Sequence, residues 1–155
     1  MNAGFELAHL NVAQLKAPTT DPLLADFVAR IPGVNALGDA APGFVWRLHD
    51  GSDEAGPDPF GDPLLLINLS VWATIDALRA FVYAGSHAQV MRDRRRWFDS
   101  SGLAPYVLWW VSAGQRPTLV DAKRRLELLR SNGPTAQAFT FTRTFPAVEP
   151  LAERT

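Results

Sequence analysis

Residues 64–72 read Leu-Leu-Leu-Ile-Asn-Leu-Ser-Val-Trp, and no other stretch of the chain restricts its fold as strongly. Successive side chains of a strand point to opposite faces, so this run presents two different surfaces. Leu65, Ile67, Leu69 and Val71 make one side uniformly apolar. Leu64, Leu66, Asn68, Ser70 and Trp72 make the other a mixture of apolar, polar and aromatic groups. The apolar side is expected to pack on helices, and the mixed side has the composition of a ligand pocket.

The rest of the chain arranges itself around this strand. Residues 5–12 alternate and read as a first strand, with Phe5, Leu7, His9 and Asn11 on one face and Ala8, Leu10 and Val12 on the other. Asp21 is a helix cap and Pro22 suits the first helical position. Leu23, Leu24, Phe27, Val28 and Ile31 then form a stripe, which Pro32-Gly33 should break or kink before Val34 and Leu37 carry it to Ala40. Residues 44–48 read as a second strand, and residues 49–63 as a loop crowded with Gly, Pro and Asp. A helix over 74–83 follows the central strand, with Ile75, Leu78, Phe81 and Val82 as its stripe. Ser86 and Gln89 form a capping pair for a further helix. Residues 106–111 read as a fourth strand. Thr118 caps a last helix striped by Leu119, Ala122, Leu126 and Leu129 and stopped at Asn132-Gly133-Pro134. The alternation of 139–145 suits a final edge strand.

The order is β-α-β-β-α-β plus a helix and a short strand, an α+β ferredoxin-like unit in a single domain over residues 1–155. Helices are expected on one face only. The exposed face would then need a second copy, giving a homodimer that closes into a dimeric α+β barrel.

Charge and composition remove several functions. A formal net charge of −1 lacks the basic excess of a nucleic-acid binder, so no nucleic-acid partner is expected. No apolar run approaches the ~20 residues of a membrane helix, so no membrane partner is expected either. The chain has no cysteine, which removes disulfides, thiolate metal sites and a cysteine nucleophile and fits a reducing, cytoplasmic setting. The N-terminal residues lack the pattern of a signal peptide. His9, His49 and His87 have no ligand spacing, and Asp50, Asp53, Glu54, Asp58 and Asp62 lack the calcium-loop pattern, so no metal is expected. Glycine-rich phosphate loops and the G-x-S-x-G elbow are absent.

The candidates for chemistry are few. Asn68, Ser70, His9 and Asn11 share the polar side of two strands, where they either orient a substrate or are hydrogen-bonded sheet-face residues. His87 follows Ser86 and shares a helical face with Val90, Met91, Arg94, Trp97 and Phe98. It is a candidate proton-transfer residue, with a buried structural histidine as the plainer reading. Arg92, Arg94, Arg95 and Arg96 read as a solvated run, with Arg94 the exception because it falls in phase with His87 and could meet an anionic group. Arg47 is a weaker candidate of the same kind. Trp109 and Trp110 must face opposite ways, one into the core and the other onto the pocket; Trp110 is the pocket candidate beside Trp72.

Several of these residues carry a resemblance. Pro42-Gly43-Phe44-Val45-Trp46-Arg47-Leu48, Asn68-Leu69-Ser70-Val71-Trp72, Ala80-Phe81-Val82-Tyr83 with His87, Arg96-Trp97-Phe98, Leu108-Trp109-Trp110-Val111, Gly133-Pro134 and Phe139-Thr140-Phe141 together resemble domain-of-unknown-function family 3291. The resemblance runs from Leu7 to about Phe141. Pro32-Gly33 and the acidic loop before Phe60 depart from its pattern without touching these motifs. It implies a dimeric α+β barrel. Trp72, Phe81 and His87 also resemble, more distantly, the antibiotic-biosynthesis monooxygenases. That second likeness implies a small-molecule enzyme, a cofactor-independent monooxygenase or related cyclase or isomerase acting on an aromatic or polyketide-like metabolite. His87 would be its catalytic base or hydrogen-bond donor. His9, Asn11, Asn68, Ser70, Trp72, Arg94 and Trp110 would hold the substrate. No cofactor is implied. The alternative is a non-catalytic ligand- or haem-binding barrel, with His87 as axial ligand.

Overall fold

A computed structural model of the chain describes residues 4–49, 52–84, 89 and 92–147. The first strand, β1 (Phe5–Leu15), runs past the Val12 at which its alternation ends. It does so because partners wait for the extra residues: Gln14 pairs with Leu65 and Asp99, and Leu15 with Phe98. A single 3-10 turn, Pro22–Leu24, capped by the Asp21 carboxylate, leads into α1 (Ala25–Asp39). Then come β2 (Phe44–Arg47), β3 (Leu65–Trp72) and α2 (Ile75–Val82), whose N-terminus Thr74 caps. A 3-10 turn at Arg94–Arg96 precedes the two-residue β4 (Phe98–Asp99), an element absent from the sequence reading. The chain continues as β5 (Tyr106–Ser112) and α3 (Leu119–Asn132), capped by the Thr118 hydroxyl and ended at Gly133.

The sheet order is β2-β3-β1-β5, antiparallel throughout, with β4 beyond β5 on the same side of β1. This is the ferredoxin-like order: each crossover helix links strands separated by one other. Between Phe44 and Trp46 the pairing of β2 with β3 slips by a bulge. Phe44 therefore joins the cluster around Trp72, whereas Trp46 joins the one on the opposite face. Regular alternation would have put both on one side.

Both faces of the sheet are covered within the chain, which corrects the expectation of one bare face. Ala8, Leu10, Val12, Leu69, Val107 and Trp109 lie buried under Leu119, Ala122, Leu126 and Leu129 of α3. Ala55 of the long loop closes the same layer, and its carbonyl accepts the Leu119 N–H at 2.9 Å. The apolar side of β3 does pack on a helix, but on α3 rather than on the crossover helices. Those sit over the mixed side, with Leu24 and Phe27 at one end and Leu78 and Phe81 at the other. The cover for the apolar sheet face that a second copy was expected to provide is thus supplied by the chain's own last helix.

Two further expectations change. Residues 139–145 form no strand. Phe139 alone bridges Leu108, with both backbone bonds at 2.8 Å, and the segment continues as a strap whose Phe139, Phe141 and Phe145 pack on the α2 end of the mixed face. Of the break or kink expected at Pro32, the structure has no break: α1 runs through it to Asp39, next to the expected end at Ala40. Pro32 and Gly33 face solvent, so the carbonyl left without an amide partner can turn to water. Within the expected stripe only Leu24, Phe27 and Ile31 pack inward, while Leu23 (51%) and Val28 (37%) are exposed.

Because Pro32 buries nothing, Pro32→Ala should stabilise the fold by about 2 kcal/mol. That is the ~3 kcal/mol interior-proline penalty less the ~1 kcal/mol regained by a freer unfolded chain. A urea midpoint that rises supports this; one that falls would mean that the proline shapes the path of α1.

Candidate functional site

Strand register assembles the polar residues that the sequence places on one side. His9 lies opposite Ser70 on β3 and Leu108 on β5, and Asn11 opposite Asn68 and Tyr106. One row further along, Leu7 lies between Trp72 and Trp110. His9, Asn11, Asn68, Ser70 and Tyr106 thus form a polar patch across three adjacent strands. Apolar clusters bound it at both ends: Leu7, Trp72, Leu78, Leu108 and Phe139 on one side, and Leu15, Leu24, Phe27 and Trp97 on the other. Water reaches the patch: Asn68 is exposed and His9, Asn11, Ser70 and Tyr106 are half-buried.

The hydrogen bonds in the patch are directional. The Trp72 indole Nε1–H donates to Ser70 Oγ at 3.0 Å, and that hydroxyl lies 3.5 Å from His9 Nδ1. Asn68 Nδ2 donates to Asn11 Oδ1 at 3.3 Å, and Asn11 Nδ2 donates to the Pro105 carbonyl at 3.4 Å. The Tyr106 ring stands 6.0 Å from that of His9 and 5.4 Å from that of Phe141. Its hydroxyl accepts the Phe141 N–H at 3.0 Å, and burial pushes the phenol above its ordinary pKa. It therefore stays protonated at neutral pH.

The sequence candidates divide into groups. His9, Asn11, Asn68 and Ser70 are brought together. Trp72 borders them, but its ring is only 2% exposed, stacked on Phe81 at 5.3 Å and edge-on to Phe44 at 5.4 Å. The ring is buried against these two phenylalanines, so what Trp72 offers the patch is its indole N–H rather than a stacking surface. Trp110 does share the His9 face, whereas Trp109 is buried under α3. The Trp110 Nε1–H donates to the Phe145 carbonyl at 2.8 Å, so this tryptophan ties down the strap. Arg94 lies exposed on its 3-10 turn. Its neighbour Arg96 reaches Asp26 at 2.7 Å. His87 lies outside the described residues.

Arg47 is engaged elsewhere. It grips Asp39 through two hydrogen bonds, at 2.7 and 3.2 Å, and holds that carboxyl below its usual pKa. Tyr106 was not among the candidates, although its phase, two and four residues before Leu108 and Trp110, put it on their face. Among the described residues no group of three or more His, Cys, Asp or Glu could hold a metal ion. No helix among them is long and apolar enough to cross a membrane. A shallow apolar groove between the end of α1 and α2, lined by Leu37, Ala41, Gly43, Ala77 and Phe81, shares no residue with the polar patch.

Comparison with known proteins adds to this geometry. The family described as Domain of unknown function (DUF3291) matches residues 6–154. No curated protein matches the chain. Among solved structures, a conserved protein from Methanosarcina mazei Go1 superposes with a TM-score of 0.51 at 9% identity, over 72% of this chain and 95% of its own. That likeness is one of fold. SnoaB, a cofactor-independent oxygenase from Streptomyces nogalater, gives 0.44 at 18% identity, over 71% of this chain and 94% of its own. A dabb family protein with a ferredoxin-like fold from Mesorhizobium loti gives 0.43 at 14% identity, over 72% and 99%.

Proposed function

The chain belongs to the domain-of-unknown-function family DUF3291, and on that premise we propose that its polar patch binds a small aromatic or polyketide-like molecule on the face of the sheet that the crossover helices cover. The reaction proposed is that of a cofactor-independent monooxygenase or a related cyclase or isomerase. One observation carries the binding reading: His9, Asn11, Asn68 and Ser70 stand in register across two neighbouring strands, in a gap between two apolar clusters. A sheet face meant only for packing would fill that gap with apolar side chains. Few directional polar groups within an apolar frame are what a small-molecule site needs. In this reading Asn11, Asn68, Ser70 and His9 orient the ligand, Tyr106 flanks it, and His87 acts as base or donor. Arg94 meets an anionic group, and Trp110 holds the wall formed by the strap.

A second reading, a non-catalytic binder, is favoured by one fact. The polar groups of the patch bond to one another, which leaves them fixed rather than poised for proton transfer.

Native mass of freshly purified protein, with its visible spectrum, tests the binding. A chain of 17.0 kDa carrying an extra small-molecule mass is expected. The same measurement decides, from one chain mass or two, the homodimer expected from the sequence. Asn68 is exposed, so Asn68→Trp should fill the gap without disturbing the core and reduce the liganded fraction about tenfold. Undiminished ligand in that variant would move the site elsewhere.

A further inference from the structure

We propose that Ser70, held by the Trp72 indole, is a positioning residue that fixes which nitrogen of His9 carries the proton. The argument is one of counting donors and acceptors. Ser70 Oγ already receives the Trp72 Nε1–H at 3.0 Å. The hydroxyl proton then needs an acceptor, and His9 Nδ1, at 3.5 Å, is the ring nitrogen it faces. If Nδ1 carried a hydrogen, two donors would converge on one hydroxyl oxygen, and the hydroxyl's own proton would have to turn from the ring to solvent. The balanced arrangement runs Trp72 Nε1–H to Ser70 Oγ–H to His9 Nδ1, and it leaves the proton of the neutral ring on Nε2.

The anchor of this chain is rigid. Trp72 is 2% exposed, clamped between Phe81 and Phe44, so its N–H direction does not drift. The register that sets His9 opposite Ser70 is equally fixed, because a slip would turn Leu10 and Leu69 out of the core beneath α3. Two of the three members are therefore placed by the fold, and Ser70 transmits that placement to His9. With Nδ1 occupied as an acceptor, His9 meets whatever its other nitrogen faces as a hydrogen-bond donor, not as a base. Its use in binding rests on the reading of this patch as a ligand site. The tautomer itself does not, and the test is made on the protein without ligand.

Long-range proton–nitrogen NMR of protein labelled with nitrogen-15 histidine reads the two ring nitrogens, with His9→Gln identifying the signals. At about pH 8.5, well above the ordinary imidazole range, His9 should show a single tautomer, with Nδ1 unprotonated and Nε2 protonated. Ser70→Ala removes one hydroxyl and should admit a resolvable Nδ1–H population; it should also speed solvent exchange of the Trp72 indole proton. Ser70→Thr, which keeps the hydroxyl, should restore the single tautomer. A wild-type ring protonated at Nδ1, or the same tautomer population in Ser70→Ala as in wild type, overturns the proposal. Either result would leave the ligand reading standing, as undiminished ligand in Asn68→Trp would leave the tautomer standing.

Discussion

Trp109→Ala is expected to lower the unfolding free energy by about 3–5 kcal/mol, the range for deleting a buried tryptophan side chain. Trp109 has no exposed surface and lies at the centre of the layer between the sheet and α3, with the Arg125 guanidinium 5.9 Å from its ring centroid. Its truncation leaves a void bounded by strands on one side and a helix on the other, neither of which can collapse freely. Trp109→Phe should behave differently. The buried indole Nε1 has no hydrogen-bond partner, so removing it relieves a desolvation cost of about 1–3 kcal/mol while part of the ring volume is lost. A net cost below about 1.5 kcal/mol is expected. Urea midpoints measured over a range of protein concentrations read a second thing. A layer completed by the chain's own α3 gives a concentration-independent midpoint, whereas a layer completed by another copy would make it rise with concentration. Equal costs for Ala and Phe, or a concentration-dependent midpoint, would refute this account of the layer.

The alternation that puts His9 and Asn11 on one side of β1, and Asn68 and Ser70 on one side of β3, is local, and a strand's period of two makes it readable residue by residue. That the two sides coincide depends on register, which no single strand encodes; it follows from burying Leu10 and Leu69 together. The stripe of α3 was legible for the same local reason, since Leu119, Ala122, Leu126 and Leu129 recur at helical spacing. A stripe states that a helix buries a face but not against what, and so the covering of the second sheet face escaped the sequence. The bulge in β2 escaped for another reason. Phe44, Val45 and Trp46 look regularly alternating, and only the pairing with Val71 and Trp72 shows the extra residue. In 139–145 the alternation is real but serves packing: the aromatic rings face the sheet while the backbone, after Phe139, leaves the ladder. The strand phase of Trp72 is visible in the sequence and makes it a pocket candidate, whereas the neighbours that occupy its ring, Phe44 and Phe81, come from other elements.

Gly43→Ala should be the most damaging small change near the site, at roughly 2–4 kcal/mol. Gly43 sits at φ +83°, where a side chain costs about 1–2 kcal/mol in backbone strain alone. An added Cβ would also stand 2.5 Å from the Ala77 Cβ, closer than carbon atoms can approach. The contact is with a short, inflexible side chain at the start of α2, so relief requires the helix itself to move. The turn cannot retreat, because the Gly43 carbonyl accepts the Ala73 N–H at 2.7 Å. Movement of α2 carries Leu78 out of its cluster and Phe81 off the Trp72 ring. The effect therefore reaches the hydrogen bond from Trp72 to Ser70, and in any folded fraction of this variant His9 should lose its single tautomer. Gly33→Ala is the internal comparison. It lies inside α1 with ordinary φ, exposed, and with nothing within 4 Å of an added Cβ. There the same substitution should stabilise by about 0.5–1 kcal/mol, because alanine loses less freedom than glycine on entering a helix. Opposite signs from one chemical change, read as urea midpoints, would tie the cost at Gly43 to its conformation and to α2. A Gly43→Ala variant as stable as wild type would mean that α2 is not braced against this turn, and that the hold on Trp72 comes from Phe44 and the strap.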